Sequence, residues 1–167
     1  MKKLLISLIA LVALSAAAQA QNNTFGLRLG YGAAFGGELS YQGFVSDINR
    51  IELDLGARFG KTTVNNDGVQ VPYPTSAALS LIYQWHWFLV GGFGIYGGPG
   101  VQATATGEGF GLGLGAQAGF DYQFDAPFQL SVDFRPIYHL IGPYAKATGS
   151  WAPTLDPHVA VGIRYAF

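Results

Sequence analysis

The sequence predicts an all-β fold, eight antiparallel strands closed up-and-down into a barrel, and three observations carry the prediction. Beyond the first twenty positions no stretch has a 3.6-residue period; apolar and polar residues instead alternate with period two, in segments bounded by Gly, Pro, Asn and Asp. That region also lacks any uninterrupted apolar run of the roughly 20 residues a helical membrane span needs. Finally, charged residues are only 11% of the 167 residues, against about 25% in soluble domains, while 50% are hydrophobic and 14% aromatic. So much apolar surface also excludes a disordered chain.

Residues 1–20, MKKLLISLIALVALSAAAQA, begin with Lys2 and Lys3, continue through an apolar stretch from Leu4 to about Leu14 and end in Ala18-Gln19-Ala20. This is the pattern of a cleaved secretory signal peptide, too short in its apolar part to anchor. Cleavage leaves residues 21–167 as one domain, with more acidic than basic groups, which excludes a nucleic-acid-binding face. With no cysteine there is neither a disulfide framework nor a lipid-modified N-terminal Cys.

The first strand sets Phe25, Leu27, Leu29 and Tyr31 on one face and Arg28 on the other. The second, near 37–45, sets Leu39 and Tyr41 against Glu38, Ser40 and Gln42. After a polar turn at 46–49, Ile51, Leu53, Leu55, Ala57 and Phe59 alternate with Glu52, Asp54, Gly56 and Arg58. Residues 60–75 read as a long loop with a turn at Asp67-Gly68. A fourth strand over about 76–84 leads to an aromatic corner, Trp85-His86-Trp87, and a glycine-rich fifth follows over about 88–101. Beyond a loop at 103–109, the sixth strand opposes Leu112, Leu114, Ala116, Ala118, Phe120 and Tyr122 to Gly111, Gly113, Gly115, Gln117, Gly119 and Asp121. A tight turn at 125–127 precedes Phe128, Leu130, Val132 and Phe134, opposite Gln129, Ser131, Asp133 and Arg135. A last loop over 139–157 leads to Val159, Val161, Ile163, Tyr165 and Phe167, opposite His158, Ala160, Gly162 and Arg164.

The nine strand charges, Arg28, Glu38, Glu52, Asp54, Arg58, Asp121, Asp133, Arg135 and Arg164, all lie opposite the apolar row. Two architectures share that alternation. A lipocalin-like soluble barrel turns the apolar row inward; a transmembrane barrel turns it to lipid and the charges to the lumen. Sparse charge favours the transmembrane form, because so few ionic groups would leave a soluble exterior with large apolar patches. After the signal segment the lysines are Lys61 and Lys146, both in long loops, and Tyr31, Phe59, Trp85, Trp87, Tyr165 and Phe167 at strand ends form aromatic girdles.

This organisation resembles the small eight-stranded outer-membrane barrels of Gram-negative bacteria, of the OmpX and OmpA-barrel kind. A local motif adds to the likeness: Gly162, Tyr165 and the terminal Phe167 match a C-terminal assembly signal, although Ala160 stands where a polar residue is usual. The resemblance implies a bacterial outer-membrane location, contact with outer-membrane lipid and lipopolysaccharide, recognition by the barrel-assembly machinery, and a monomer that binds no nucleic acid.

An eight-stranded barrel is just wide enough for side chains to fill. Enclosed ions must pair, so the nine charges predict a salt-bridged plug without a continuous aqueous channel. Gly92, Gly94, Gly98, Gly111, Gly113, Gly115 and Gly119 would make one wall low enough for long side chains to extend toward it. No catalytic, cofactor or metal site is expected. Gly92 to Gly97 matches a dinucleotide fingerprint without its strand-turn-helix setting, and Asn65-Asn66-Asp67-Gly68 lacks the outer ligands of a calcium loop. His86, His139 and His158 lack metal-ligand spacing and the His-x-Ser pair of lipid A deacylases. Function is expected in envelope structure or surface recognition through loops 60–75, 103–109 and 139–157, with Tyr73, Tyr144 and Trp151 as contact aromatics. The alternatives are a narrow solute channel, a lipid-modifying enzyme using His139, Ser150 and Asp156, and the soluble barrel.

Overall fold

The computed structural model describes residues 23–32, 34–59, 63–66, 69–72, 75–143 and 155–167. The signal segment, both mature lysines, Ser150 and the loop residues Tyr73, Tyr144 and Trp151 lie outside them. The strands are β1 Thr24–Tyr31, β2 Phe35–Phe44, β3 Asn49–Phe59, β4 Thr63–Asn66, β5 Val69–Pro72, β6 Ser76–Phe88, β7 Phe93–Thr106, β8 Gly109–Gln123, β9 Phe128–Ile141 and β10 Leu155–Ala166. Eight close into an antiparallel barrel in the order β1-β10-β9-β8-β7-β6-β3-β2, while β4 and β5 pair only with each other. Closure removes every edge from the main sheet. The ends are tied where Phe167 N donates to Asn23 O at 2.9 Å.

Register follows from the alternation. Leu27 and Leu29 sit opposite Ile163 and Val161 on β10, while Arg28 sits between them opposite Gly162. A slip of one residue would exchange the two faces, so a sheet with such unlike sides has one acceptable pairing. The apolar row faces outward: Leu29 is 55% exposed and Phe120 66%, whereas Arg28 is 0% and Asp133 2%. The soluble alternative, with its apolar row around a central cavity, is thereby excluded.

Several sequence expectations are corrected. The 60–75 segment holds a second small sheet, β4 paired with β5, with the Asp67-Gly68 position between them outside the described residues. Trp85-His86-Trp87 is no corner; it continues β6 with Trp85 and Trp87 outward and His86 inward, because strict alternation runs through it. The chain turns at 89–92 instead, where Gly91 and Gly92 take positive φ of 66° and 82°, so Gly92 belongs to a turn and not to the inner wall. The fifth barrel strand starts later and continues to Thr106, reducing the expected 103–109 loop to a turn at Gly107-Glu108. Strands β9 and β10 likewise extend into the expected 139–157 loop, taking His139 and Asp156 into the barrel wall.

The two ends of the barrel differ. One carries the start of β1, the end of β10 and the turns 45–48, 89–92 and 124–127, closed by bonds such as Val45 N to Asn49 O at 2.8 Å and Leu89 N to Phe93 O at 2.7 Å. The other carries the short joins 32–34 and 107–108 together with the two long ones, 60–75 and 142–154. Exposed aromatics mark both ends: Tyr31 and Phe59 toward the long joins, Trp85, Trp87, Tyr165 and Phe167 toward the short turns.

Candidate functional site: the charged barrel interior

Strand alternation aims every second side chain at the axis, so ionic residues at inward positions build a column of charge. The structure places all nine charges singled out from the sequence inside the barrel, each buried. Two more join them, Arg50 and Asp156, both 0% exposed. Among the described residues the interior thus holds five arginines, Arg28, Arg50, Arg58, Arg135 and Arg164, and six carboxylates, Glu38, Glu52, Asp54, Asp121, Asp133 and Asp156. Near-balance matters, since an unmatched ion in a low-dielectric interior costs several kcal/mol.

The pairs are arranged in tiers. In the middle, Arg135 on β9 reaches Glu52 at 2.6 Å, Glu38 at 3.4 Å and the Asp54 carboxylate. In the closed strand order β3 lies four places from β9, the opposite wall, so Arg135 is a strap across the full width of the lumen. Beside it Arg28 donates to Glu38 at 2.6 Å and forks onto both oxygens of Asp133. Arg164 donates to Ser40 at 3.0 Å and Ser131 at 2.6 Å and lies 3.6 Å from Glu52. Toward the long-join end Arg58 pairs with Asp156. Toward the short-turn end Arg50 bonds Asp121 at 2.9 Å and Gln84 at 2.6 Å, its guanidinium 4.5 Å from the Tyr96 ring centre. Charge-assisted forks of this kind are stronger and more directional than neutral bonds.

Neutral amides knit the tiers together. Gln84 donates to Glu52 at 3.0 Å and to Gln117 at 2.8 Å; Gln117 returns to Glu52 at 3.2 Å. His86 lies 3.0 Å from Asp121, edge-on to Phe44 and stacked on Tyr96. A cavity of about 190 Å³ opens at this end, lined by Thr24, Phe44, His86, Phe88, Asp121 and Gln129 among others.

The inward glycines have an identifiable use. A Cβ on Gly94 would lie 2.5 Å from His86, one on Gly119 2.7 Å from Tyr96, and one on Gly113 2.7 Å from Ile137. The low wall therefore receives rings and branched chains from adjacent strands; the arginines expected to reach it are instead engaged with carboxylates elsewhere.

Sequence reasoning places Gln42, Gln117, Gln129 and His158 on the inward face but misses Arg50, Gln84, His86, Gln102, His139 and Asp156 there. The parity that finds Glu52 and Asp54 also reaches Arg50, but the polar run 46–49 makes the strand read as starting only at Ile51, whereas it begins at Asn49. Asp156 shares parity with His158 and Arg164 across Pro157, which reads as a loop residue. His139 and Asp156, weighed as loop-site residues, lie inside β9 and β10, so their expected loop setting is corrected. Gly162 is inward, beside Arg164, whereas Tyr165 and Phe167 are outward and exposed.

No protein-family model and no curated protein matches the chain. Solved structures do. A de novo designed transmembrane β-barrel aligns with a TM-score of 0.58 at 14% identity, over 89% of this chain and 98% of its own. Neisserial surface protein A gives 0.53 at 14%, over 87% and 95%. A major outer membrane protein of Thermus thermophilus gives 0.55 at 13%, over 89% and 100%. At these identities the shared property is the fold: an eight-stranded barrel of the transmembrane type.

Proposed function

We propose that this chain is an integral outer-membrane barrel with a closed, salt-bridged interior, acting in envelope structure or surface recognition through its long joins. The observation that carries the reading is the inversion of sides, with ionic groups paired along the axis and leucines, valines and aromatics covering the outside. A surface so apolar is compatible with lipid and not with water. The aromatic bands at both ends agree with two membrane interfaces. Orientation follows from loop length, since such barrels keep short turns on the periplasmic side and longer segments outside; 60–75 and 142–154 would then face the exterior. Arg135 and its three carboxylates span the lumen and support a barrel that conducts no solute.

Membrane fractionation combined with gel migration before and after heating tests insertion and closure together. The protein is expected in the outer-membrane fraction, migrating faster unheated than heated. Extraction by aqueous buffer without detergent would overturn the membrane reading, and steady ohmic conductance of the purified protein in planar bilayers would overturn the closed interior.

A further inference from the structure

Asp121 organises the short-turn end of the lumen. His86 Nε2 lies 3.0 and 3.1 Å from its two oxygens, Gln129 donates its amide nitrogen to Oδ2 at 3.3 Å, and Arg50 donates to the same oxygen at 2.9 Å. An ionised carboxylate only accepts, so these contacts orient both neutral side chains. The His86 proton sits on Nε2 and Nδ1 keeps a bare lone pair; Gln129 turns its nitrogen to Asp121 and leaves Oε1 as its free end. Neither His86 Nδ1 nor Gln129 Oε1 has a hydrogen-bond partner, although His86 is only 1% exposed and Gln129 6%. Gly94 makes room for the arrangement, since a Cβ there would strike both the His86 ring and the Asp121 carboxylate.

His86, Asp121 and Gln129 all line the cavity of about 190 Å³ at this end, beside the rings of Phe44 and Phe88. Gly92, Gln123 and Ala166 line it on the side of the turns. Each side-chain donor around it already has an acceptor: Thr24 bonds Gln42, Gln123 bonds the carbonyls of Phe124, Ala126 and Phe128, and His86 and Gln129 bond Asp121. The two buried polar atoms left open are thus both acceptors, and a buried acceptor without a donor is costly.

A second observation concerns charge. Among the described residues the interior holds six carboxylates and five arginines, one negative charge in excess. A cation bound in this cavity answers both needs, the missing donors and the missing charge. Its kind follows from the walls. A histidine that gives its other N–H to a carboxylate also suits a metal ion, but no group of three His, Cys, Asp or Glu side chains stands together among the described residues to complete a ligand set. Aromatic rings favour an organic cation, and a cavity of this size takes a molecule about as large as benzene.

We infer that the short-turn end of the lumen binds a small primary ammonium. Its N–H groups donate to His86 Nδ1 and Gln129 Oε1, its charge balances the excess carboxylate, and its short apolar stem lies against Phe44 and Phe88. The cavity is inside the ring of strands, so the ligand arrives from solvent between the turns and not from lipid.

The test uses the full barrel refolded in nonionic detergent micelles and titrated with butylammonium chloride, with butan-1-ol as the uncharged counterpart of equal stem. Binding is read by NMR from the Gln123 and Gln129 amides and the His86 ring nitrogens, and folding from heat-dependent gel migration. Butylammonium is expected to bind at least about tenfold more tightly than the alcohol, the ratio one charge-assisted hydrogen bond gives, and to move the His86 Nδ1 resonance. Gln129→Leu should weaken the amine about tenfold and the alcohol little; if that variant does not fold, His86→Phe removes the other acceptor with the same expected loss. Ala166→Leu fills the cavity without touching either acceptor and should abolish binding of both probes. Equal affinity for amine and alcohol, amine binding unchanged in these variants, or zinc chloride moving the same resonances at lower concentration than the amine would each overturn the site. So would a folded barrel whose spectrum butylammonium leaves unmoved, an outcome that leaves the membrane reading standing.

Discussion

Arg135 has more anionic partners than any other residue described in the interior, and its worth is set by what it leaves behind. Glu38, Glu52 and Asp54 converge on its guanidinium from β2 and β3. Replacing it with methionine keeps most of the volume but leaves three buried carboxylates with one cation fewer among them. Breaking a buried pair this way costs about 3–5 kcal/mol, because desolvated charge remains uncompensated. Arg135→Met should therefore lower the urea unfolding free energy of the vesicle-inserted protein by about that amount. A loss below about 1 kcal/mol, the value of an exposed pair, would mean that water screens the lumen.

At the scale of elements, the turn between β6 and β7 separates backbone need from space. Gly91 and Gly92 both have positive φ, but nothing lies within 4 Å of a Cβ on Gly91, whereas one on Gly92 would meet the Gln123 carbonyl oxygen at 2.5 Å. Asparagine tolerates the left-handed region and a β-branched residue does not. Gly91→Asn should leave the unfolding midpoint nearly unchanged, while Gly92→Val should cost upward of about 1–2 kcal/mol. Equal effects of the two changes would show that the turn relaxes away from Gln123. The extent of β6 teaches the same lesson from sequence: the tryptophans resemble a corner, but Trp85, His86 and Trp87 keep the out-in-out order of the strand before them.

For the whole molecule, the decisive property is the medium around the barrel. Val161 sits midway along β10, outward and half exposed, with Leu29 and Val132 as its cross-strand neighbours. On a water-facing surface arginine would be harmless there. At the centre of a bilayer it costs about 2–4 kcal/mol, falling toward zero near the interfaces. Val161→Arg should thus destabilise the vesicle-inserted protein by that amount, and Tyr165→Arg, near the short-turn end, by much less. Similar costs at both depths would argue against a membrane spanning this wall.

Much of this architecture is legible in the chain, because a period of two is a local property. Leu27, Arg28 and Leu29 assign two faces without reference to any other strand, and eight repetitions of that pattern suffice for the barrel and for nine of its buried charges. Pairing across the axis is not legible. That Arg135 meets Glu52 and Asp54, or that Arg50 meets Asp121, depends on barrel closure and strand register, which bring together residues more than seventy positions apart. Strand ends are equally hidden, since a polar turn and an inward polar strand residue look alike in sequence. Alternation therefore determined which side each residue faces; only the closed, sheared sheet decided which residues meet.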